Sequence, residues 1–247
     1  MCGRATVVNP DGIVEKVYGY TTRFVPGDWK PRYNVNPHQP IPVVYYDPFL
    51  KRRALRLMHW NLIPSRLATR ADVDSFDATY STFNARIESV ATAPTFSDCW
   101  RSQRCLIVVD GIIEWVGNSR RYKTPHLIRR KDSAPFAMAG LWSRWLGKDG
   151  DEVWSCTVIV KDADEWYTKF HDRMAIMLPN EIHDEWIDPA RTNGQVELID
   201  SAPYRKAADL DFYPISRLVN NPRNDSPECL ERGELYVDPQ ADLFAQA

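Results

Sequence analysis

The sequence predicts an α+β fold, one domain built around a largely antiparallel sheet or open β-barrel with short peripheral helices. Three observations carry that expectation. Runs of β-branched and aromatic residues recur along most of the chain, while the stretches with helical spacing are short. No internal repeat or low-complexity tract divides the 247 residues. With 44% hydrophobic residues, a chain of that length can bury a sizeable core.

The elements follow in chain order. NPDGIVEKVYGY has proline near its start and Ile13, Val14, Val17 and Tyr18 as an apolar stripe, which predicts a first helix. IPVVYY (41–46) and RALRLMHW (53–60) read as strands. TFSDCW (95–100) places Thr95 three residues before Asp98, a capping pattern for a short helix. RCLIVVDGIIEWV (104–116) reads as two buried strand segments hinged at Asp110-Gly111. HLIRR, PFAMAGLW and EVWSCTVIV are three further strands separated by polar turns. DADEWYTKF (162–170) and NEIHDEWI (180–187) have helical spacing beside Pro179 and Pro189. From about Pro222 the chain turns polar, so residues 2–230 are expected to form the domain and 231–247 a polar tail.

Composition excludes several classes. No run of about 18 apolar residues exists, so no transmembrane helix is expected. No basic segment followed by an apolar one opens the chain, so no secretory signal and a cytoplasmic location are expected. Five cysteines without CxxC spacing read as free thiols in a reducing compartment. Five scattered histidines show no metal-ligand spacing, so neither a metal nor a small-molecule cofactor is expected. A net charge of −2 argues against nucleic-acid binding through global charge but leaves room for a local basic groove.

Four separated positions carry side chains suited to aldehyde chemistry. The chain opens MCGR, and removal of Met1 would leave Cys2 with an α-amine and a thiol on neighbouring carbons. Their ordinary pKa values, ~7.7–8.0 and ~8.5, leave both partly deprotonated near neutral pH. Such a 1,2-aminothiol forms a Schiff base with an aldehyde and closes to a thiazolidine; the plain alternative is the second residue of a frayed end. Asn84 in TFNARIES is either a functional amide or a helix cap, with Arg86 close behind it. Glu114 in DGIIEW ends an apolar run where desolvation would raise its pKa, unless it faces solvent. His171 in KFHDRMAIML could shuttle protons, or simply be a hydrogen-bonded structural histidine.

Taken in order, MCGR, RYNVNPHQPIPVV, HWNLIPS, FNARIES, RCLIVVDGIIEW, AGLWSRW, CTVIV, HDRMAIML and VNNPRNDSPE resemble the SRAP (SOS-response-associated peptidase) family from residue 2 to about residue 230. The resemblance implies a DNA-damage shield that finds abasic sites in single-stranded DNA and links its amino-terminal cysteine to the sugar aldehyde. It implies Cys2 as the crosslinking residue, Asn84 and Arg86 as holders of the cysteine end and a DNA phosphate, and Glu114 with His171 as the acid/base pair. Arg4, Trp60, Arg86 and Trp115 are the candidate DNA contacts, through phosphates and stacked bases, with Arg120, Arg121 and Lys123 nearby in sequence. A monomer is expected. Two departures stand out: Asn61 and Arg66 occupy positions where the family has glycine and tryptophan, and Ala175 and Met177 replace the usual residues after HDRM. Two other classes compete: a hydrolase with Cys2 as amino-terminal nucleophile, and a non-catalytic reader of modified bases.

Overall fold

Residues 104–116 show how the sequence builds the molecule. Arg104–Val109 (β6) and Gly111–Val116 (β7) are separated by one residue, yet they belong to different sheets. All six side chains of β6 are buried, the charged Arg104 included, and the five after it form an unbroken apolar run. Asp110 turns the corner, and its N–H donates to the Thr6 carbonyl at 2.9 Å. Gly111 is required by the next strand rather than by its own torsions. A Cβ there would lie 2.7 Å from Leu127 Cδ1 and 3.0 Å from the Ile128 carbonyl oxygen.

The computed structural model describes residues 2–8, 30–117, 123–201 and 207–236. The helix expected in NPDGIVEKVYGY lies outside the described residues, as do Arg120 and Arg121. One sheet runs Leu210–Pro214 (β13), Thr124–Arg130 (β8), β7, Ala5–Val7 (β1) and Arg32–Val35 (β2). The other contains Pro40–Asp47 (β3), Arg52–Trp60 (β4), β6, Phe136–Leu146 (β9) and Glu152–Asp162 (β10). Those five pair in a ring, because β10 meets both β4 and β9. The barrel is therefore closed. Asn84–Arg86 (β5) and Arg173–Ala175 (β11) add to β10, and Met177–Leu178 (β12) adds to β9. Among the described residues only β10–β4 and β10–β5 are parallel, so the sheets are largely antiparallel as the sequence predicts. One continuous apolar core takes Ala5, Ile112 and Ile128 from the first sheet and Val43, Leu106, Leu141 and Val158 from the second. The class is α+β, one domain.

Helices are short and peripheral: Arg70–Thr79 (α1), Ser97–Ser102 (α2), His183–Ile187 (α3) and Gln195–Ser201 (α4). The expected cap of α2 is not used: Phe96 occupies the cap position without a side-chain bond. Of the helical spacing read over 162–170, only a 3₁₀ turn at Glu165–Tyr167 forms. The polar stretch after Pro222 is tied into the fold. Asp225 accepts from the Tyr33 and Asn34 N–H groups at 2.6 and 3.0 Å, and Cys229 is buried. Arg232 bridges Ile215, and Tyr236 N–H donates to Thr124 Oγ1, so the first residues beyond 230 lie along the sheet.

Candidate active site at the amino terminus

The site begins with how β1 lies on β7. The antiparallel register pairs Ala5 with Ile112 and Thr6 with Gly111, and Ile113 N–H donates to the Arg4 carbonyl at 3.0 Å. Continued toward the terminus, that register brings residues 2 and 3 alongside Glu114. From the other side, β5 presents Asn84, whose Nδ2 donates to the Cys2 carbonyl at 2.9 Å. Asn84 itself is held because β5 pairs with β10 at Val158. Cys2 is fully buried, so it is not the end of a frayed strand.

Glu114 is 4% exposed, and the Tyr167 hydroxyl donates to its Oε1 at 3.1 Å. Burial raises its pKa to about 7, opposed by the positive chain terminus, by the Tyr167 bond and by Lys123. Directly across the β7–β8 pair stands His126, whose ring packs edge-on to Phe170 with centroids 5.8 Å apart. Burial and the Glu114 charge together push the Cys2 thiol well above its ordinary value, despite the terminal ammonium. The partly ionised thiol expected from the sequence is therefore corrected: the buried thiol stays protonated until a base acts on it.

His171 is half-buried, and burial holds it below its ordinary pKa, helped by the terminal ammonium and Lys123 and opposed by Asp172. Its Nδ1 accepts the Arg173 N–H at 3.0 Å and also meets the Asp172 carboxylate. These two contacts demand opposite protonation of Nδ1. The neutral form with its proton on Nε2 is favoured, because the Asp172 side chain is 85% exposed and screened by water. Lys123 and the chain terminus contribute to the shifts of both Glu114 and His171.

The expected DNA contacts divide. Trp60 is corrected to a core residue: it is 0% exposed, donates from Nε1 to the Phe83 carbonyl at 3.0 Å and packs edge-on to that ring. No base reaches it without opening the barrel. Trp115 lies beyond Glu114 on the opposite face of β7, so it does not form the carboxylate's pocket. There its Nε1 donates to Asn220 Oδ1 at 2.7 Å, and the Arg4 guanidinium sits 5.1 Å above the ring. Arg4 also donates to Asn34 Oδ1 and the Val219 carbonyl, each at 2.6 Å. Arg86 is exposed on β5, two residues from Asn84. Tyr167 is the site residue that the sequence reading does not single out. It lies 53 positions from Glu114 and carries no local signal.

The sequence profile of the family described as SOS response associated peptidase (SRAP) matches residues 1–222. Abasic site processing protein YoqW of Bacillus subtilis is 34% identical over 233 residues, covering 94% of this chain and 99% of its own. Abasic site processing protein YoaM of the same organism is 33% identical, covering 94% and 98%. Abasic site processing protein HMCES of Gallus gallus is 29% identical, covering 90% of this chain and 72% of its own. Among solved structures, a protein from Bacteroides thetaiotaomicron superposes with a TM-score of 0.74 at 23% identity, covering 95% and 98%, and shares the fold.

Proposed function

The chain belongs to the SOS-response-associated peptidase family, and on that premise we propose that it processes abasic sites in DNA through a covalent bond to Cys2. The observation that carries the reading is the enclosure of Cys2 between the Asn84 amide and a Glu114 carboxyl whose pKa is raised to about 7. The partner is single-stranded DNA carrying an abasic site, bound by one chain, with Arg86, Arg4 and Lys123 offering cations to its phosphates.

The chemistry follows from the protonation states. Removal of Met1 frees the Cys2 amine. The abasic sugar rests mainly as a closed hemiacetal, and the neutral His171, its Nδ1 held by the Arg173 N–H, gives its Nε2 proton to the ring oxygen and takes the anomeric hydroxyl proton at the same nitrogen, releasing the aldehyde. With its pKa lowered, His171 is better matched to this relay than to the imidazolium donor its ordinary pKa suggests. The amine adds to the aldehyde carbon, and protonated Glu114 delivers its proton to the leaving hydroxyl, so that water departs and an iminium remains. Glu114, now a carboxylate, removes the thiol proton. The sulfur adds to the iminium carbon, closing the thiazolidine and restoring protonated Glu114. Aldehyde, amine and thiol thus give one thiazolidine and one water. A pKa near 7 keeps both forms of Glu114 available. Asn84 Oδ1, buried without a partner, offers an acceptor to the incoming sugar or the freed amine.

A self-processing peptidase would need only the Cys2 thiol and a base, so a requirement for the Cys2 α-amine separates that reading from this one. A reader of modified bases would have no use for a buried carboxyl beside a cysteine. The test is intact mass spectrometry after incubation with single-stranded DNA holding one abasic site. The expected mass is that of the chain without Met1 plus the oligonucleotide minus one water. A chain that retains Met1 and still forms the adduct would overturn the amine's role.

A further inference from the structure

Away from Cys2, the fold assembles a second set of titratable side chains that the proposed reaction does not use. His38 in the turn before β3, His59 near the end of β4 and Asp77 in α1 are 21 and 18 residues apart in sequence, yet their ligating atoms lie within 4.8 Å of one another. His59 Nε2 stands 2.8 Å and His38 Nδ1 3.1 Å from the same Asp77 Oδ1. Asn61 Nδ2 donates to that oxygen as well, at 2.7 Å. Three donors therefore converge on one carboxylate oxygen, which has two in-plane lone pairs, and both rings must carry their proton on the inward nitrogen.

A cation resolves that crowding. Zinc–nitrogen and zinc–oxygen bonds of about 2.0–2.2 Å set at tetrahedral angles hold their ligand atoms about 3.3 Å apart, close to the 2.8 and 3.1 Å that separate Asp77 Oδ1 from the two rings. The two imidazoles would then turn lone pairs, rather than protons, toward the centre. We propose that His38, His59 and Asp77 form a three-ligand site for one divalent transition-metal ion of the zinc type, with a fourth position open to solvent.

Three further features fit a built site. Asn61, one of the four residues that depart from the family pattern, is fully buried and spends its whole amide on the arrangement. Its Nδ2 ties Asp77 to the Tyr80 carbonyl, and its Oδ1 accepts from Thr82 N and Oγ1 at 2.6 and 3.0 Å. Such outer bonds fix a ligating carboxylate. His38 adopts a left-handed φ of 66°, held by its N–H bond to the Trp60 carbonyl, and that turn aims its ring at the cluster. An open pocket of about 330 Å3, lined by His38, Asp74, Asp77 and Tyr80, gives the ion its entry and the fourth ligand its room. Two imidazoles and one carboxylate suit zinc, cobalt or nickel better than magnesium or calcium, which prefer oxygen.

The experiment uses the full chain with Cys2→Ser, so that no amino-terminal aminothiol competes, after treatment with a chelator. Zinc chloride is titrated by calorimetry, the ions per chain are counted by native mass spectrometry, and cobalt is added as a spectroscopic probe. The expected result is one zinc per chain at micromolar affinity or tighter, and a cobalt spectrum without a thiolate charge-transfer band. His38→Ala and His59→Ala should each weaken binding by about 100-fold or more. His38 has a 44% exposed side chain, so its replacement leaves the core intact, and circular dichroism checks each variant. Zinc that fails to saturate the parent below about 100 μM overturns the site, as does wild-type binding in the His38→Ala, His59→Ala double variant.

Discussion

Replacing Glu114 by glutamine should make the protein more stable while disabling it, and only above a defined pH. Gln keeps the shape of the side chain and an Oε1 that accepts from Tyr167, so the packing is preserved. What it removes is the charge. Burial raises the Glu114 pKa from an ordinary 4.5 to about 7, which means that folding costs the ionised form about 3 kcal/mol. The sign follows from proton counting. Below pH 4.5 the carboxyl is protonated in both states and contributes no difference. Between 4.5 and about 7 the folded chain keeps a proton that the unfolded chain has lost, so stability falls as pH rises. Above that window the full cost is present in the wild type and absent from Glu114→Gln. At about 2–4 °C per kcal/mol for a chain of this size, the variant should melt roughly 6–12 °C higher at pH 8, with no gap at pH 4. Thermal denaturation of both proteins across that range reads the effect directly. Melting curves that stay parallel at every pH would refute the desolvated carboxyl. Crosslinking of abasic oligonucleotide by the same variant should slow by about 10²-fold or more, with affinity for undamaged single strands unchanged.

Cys2→Ala should lose the heat-stable adduct yet leave a Schiff base that borohydride traps; an unchanged stable adduct on denaturing gels would place the nucleophile elsewhere. His171→Ala should slow both formation and release of the crosslink by about 10²-fold, because the same relay runs in both directions, and paired time courses decide this. Arg86→Ala should lower the salt slope of single-strand binding by about one from a shallow parent slope of about three to five, as measured by titration at several ionic strengths. Trp60→Ala should destabilise the fold by about 3–5 kcal/mol in chemical denaturation, as truncation of a buried tryptophan does. If the variant lost DNA affinity at unchanged stability, Trp60 would be a DNA contact after all.

The strands of the barrel were legible because their signal is local. In β3, β6, β9 and β10, β-branched and aromatic residues fill consecutive buried positions, and each run ends at a polar turn. Helix α1 was not legible by hydrophobic period, since Val73 is its only buried residue. Its signature lay in capping: the Thr69 side chain accepts from Asp72 N–H while the Asp72 side chain accepts from Thr69 N–H. The 162–170 stretch shows the converse case. Its spacing suits a helix, but Asp164 N–H donates to Met174 sulfur and Ala163 N–H to the Asp172 carbonyl, so the chain turns back after one 3₁₀ turn. That reversal is what buries Tyr167 and delivers its hydroxyl to Glu114.

Residue type alone misplaced Trp60, and strand parity explains why. In β4, Met58 and Trp60 are buried while His59 between them is only partly so, and alternation along the strand puts both large side chains inward. The aromatic ring that looked suited to a base is therefore part of the wall, and its neighbour His59 faces Asp77 instead. The same parity splits the Glu114-Trp115 pair. Glu114 points to the face where Cys2, Tyr167 and His126 gather, whereas Trp115 points to the face where Arg4 and Asn220 hold it. Arg4 crosses between the two: its backbone carbonyl accepts from Ile113 N–H beside the reactive cysteine, and its guanidinium is clamped by Asn34, Val219 and Trp115. On the proposed function, an arginine fixed in this way would set the position of residues 2 and 3 before DNA arrives, and its contribution to the reaction would be the placement of Cys2 as much as any contact with a phosphate.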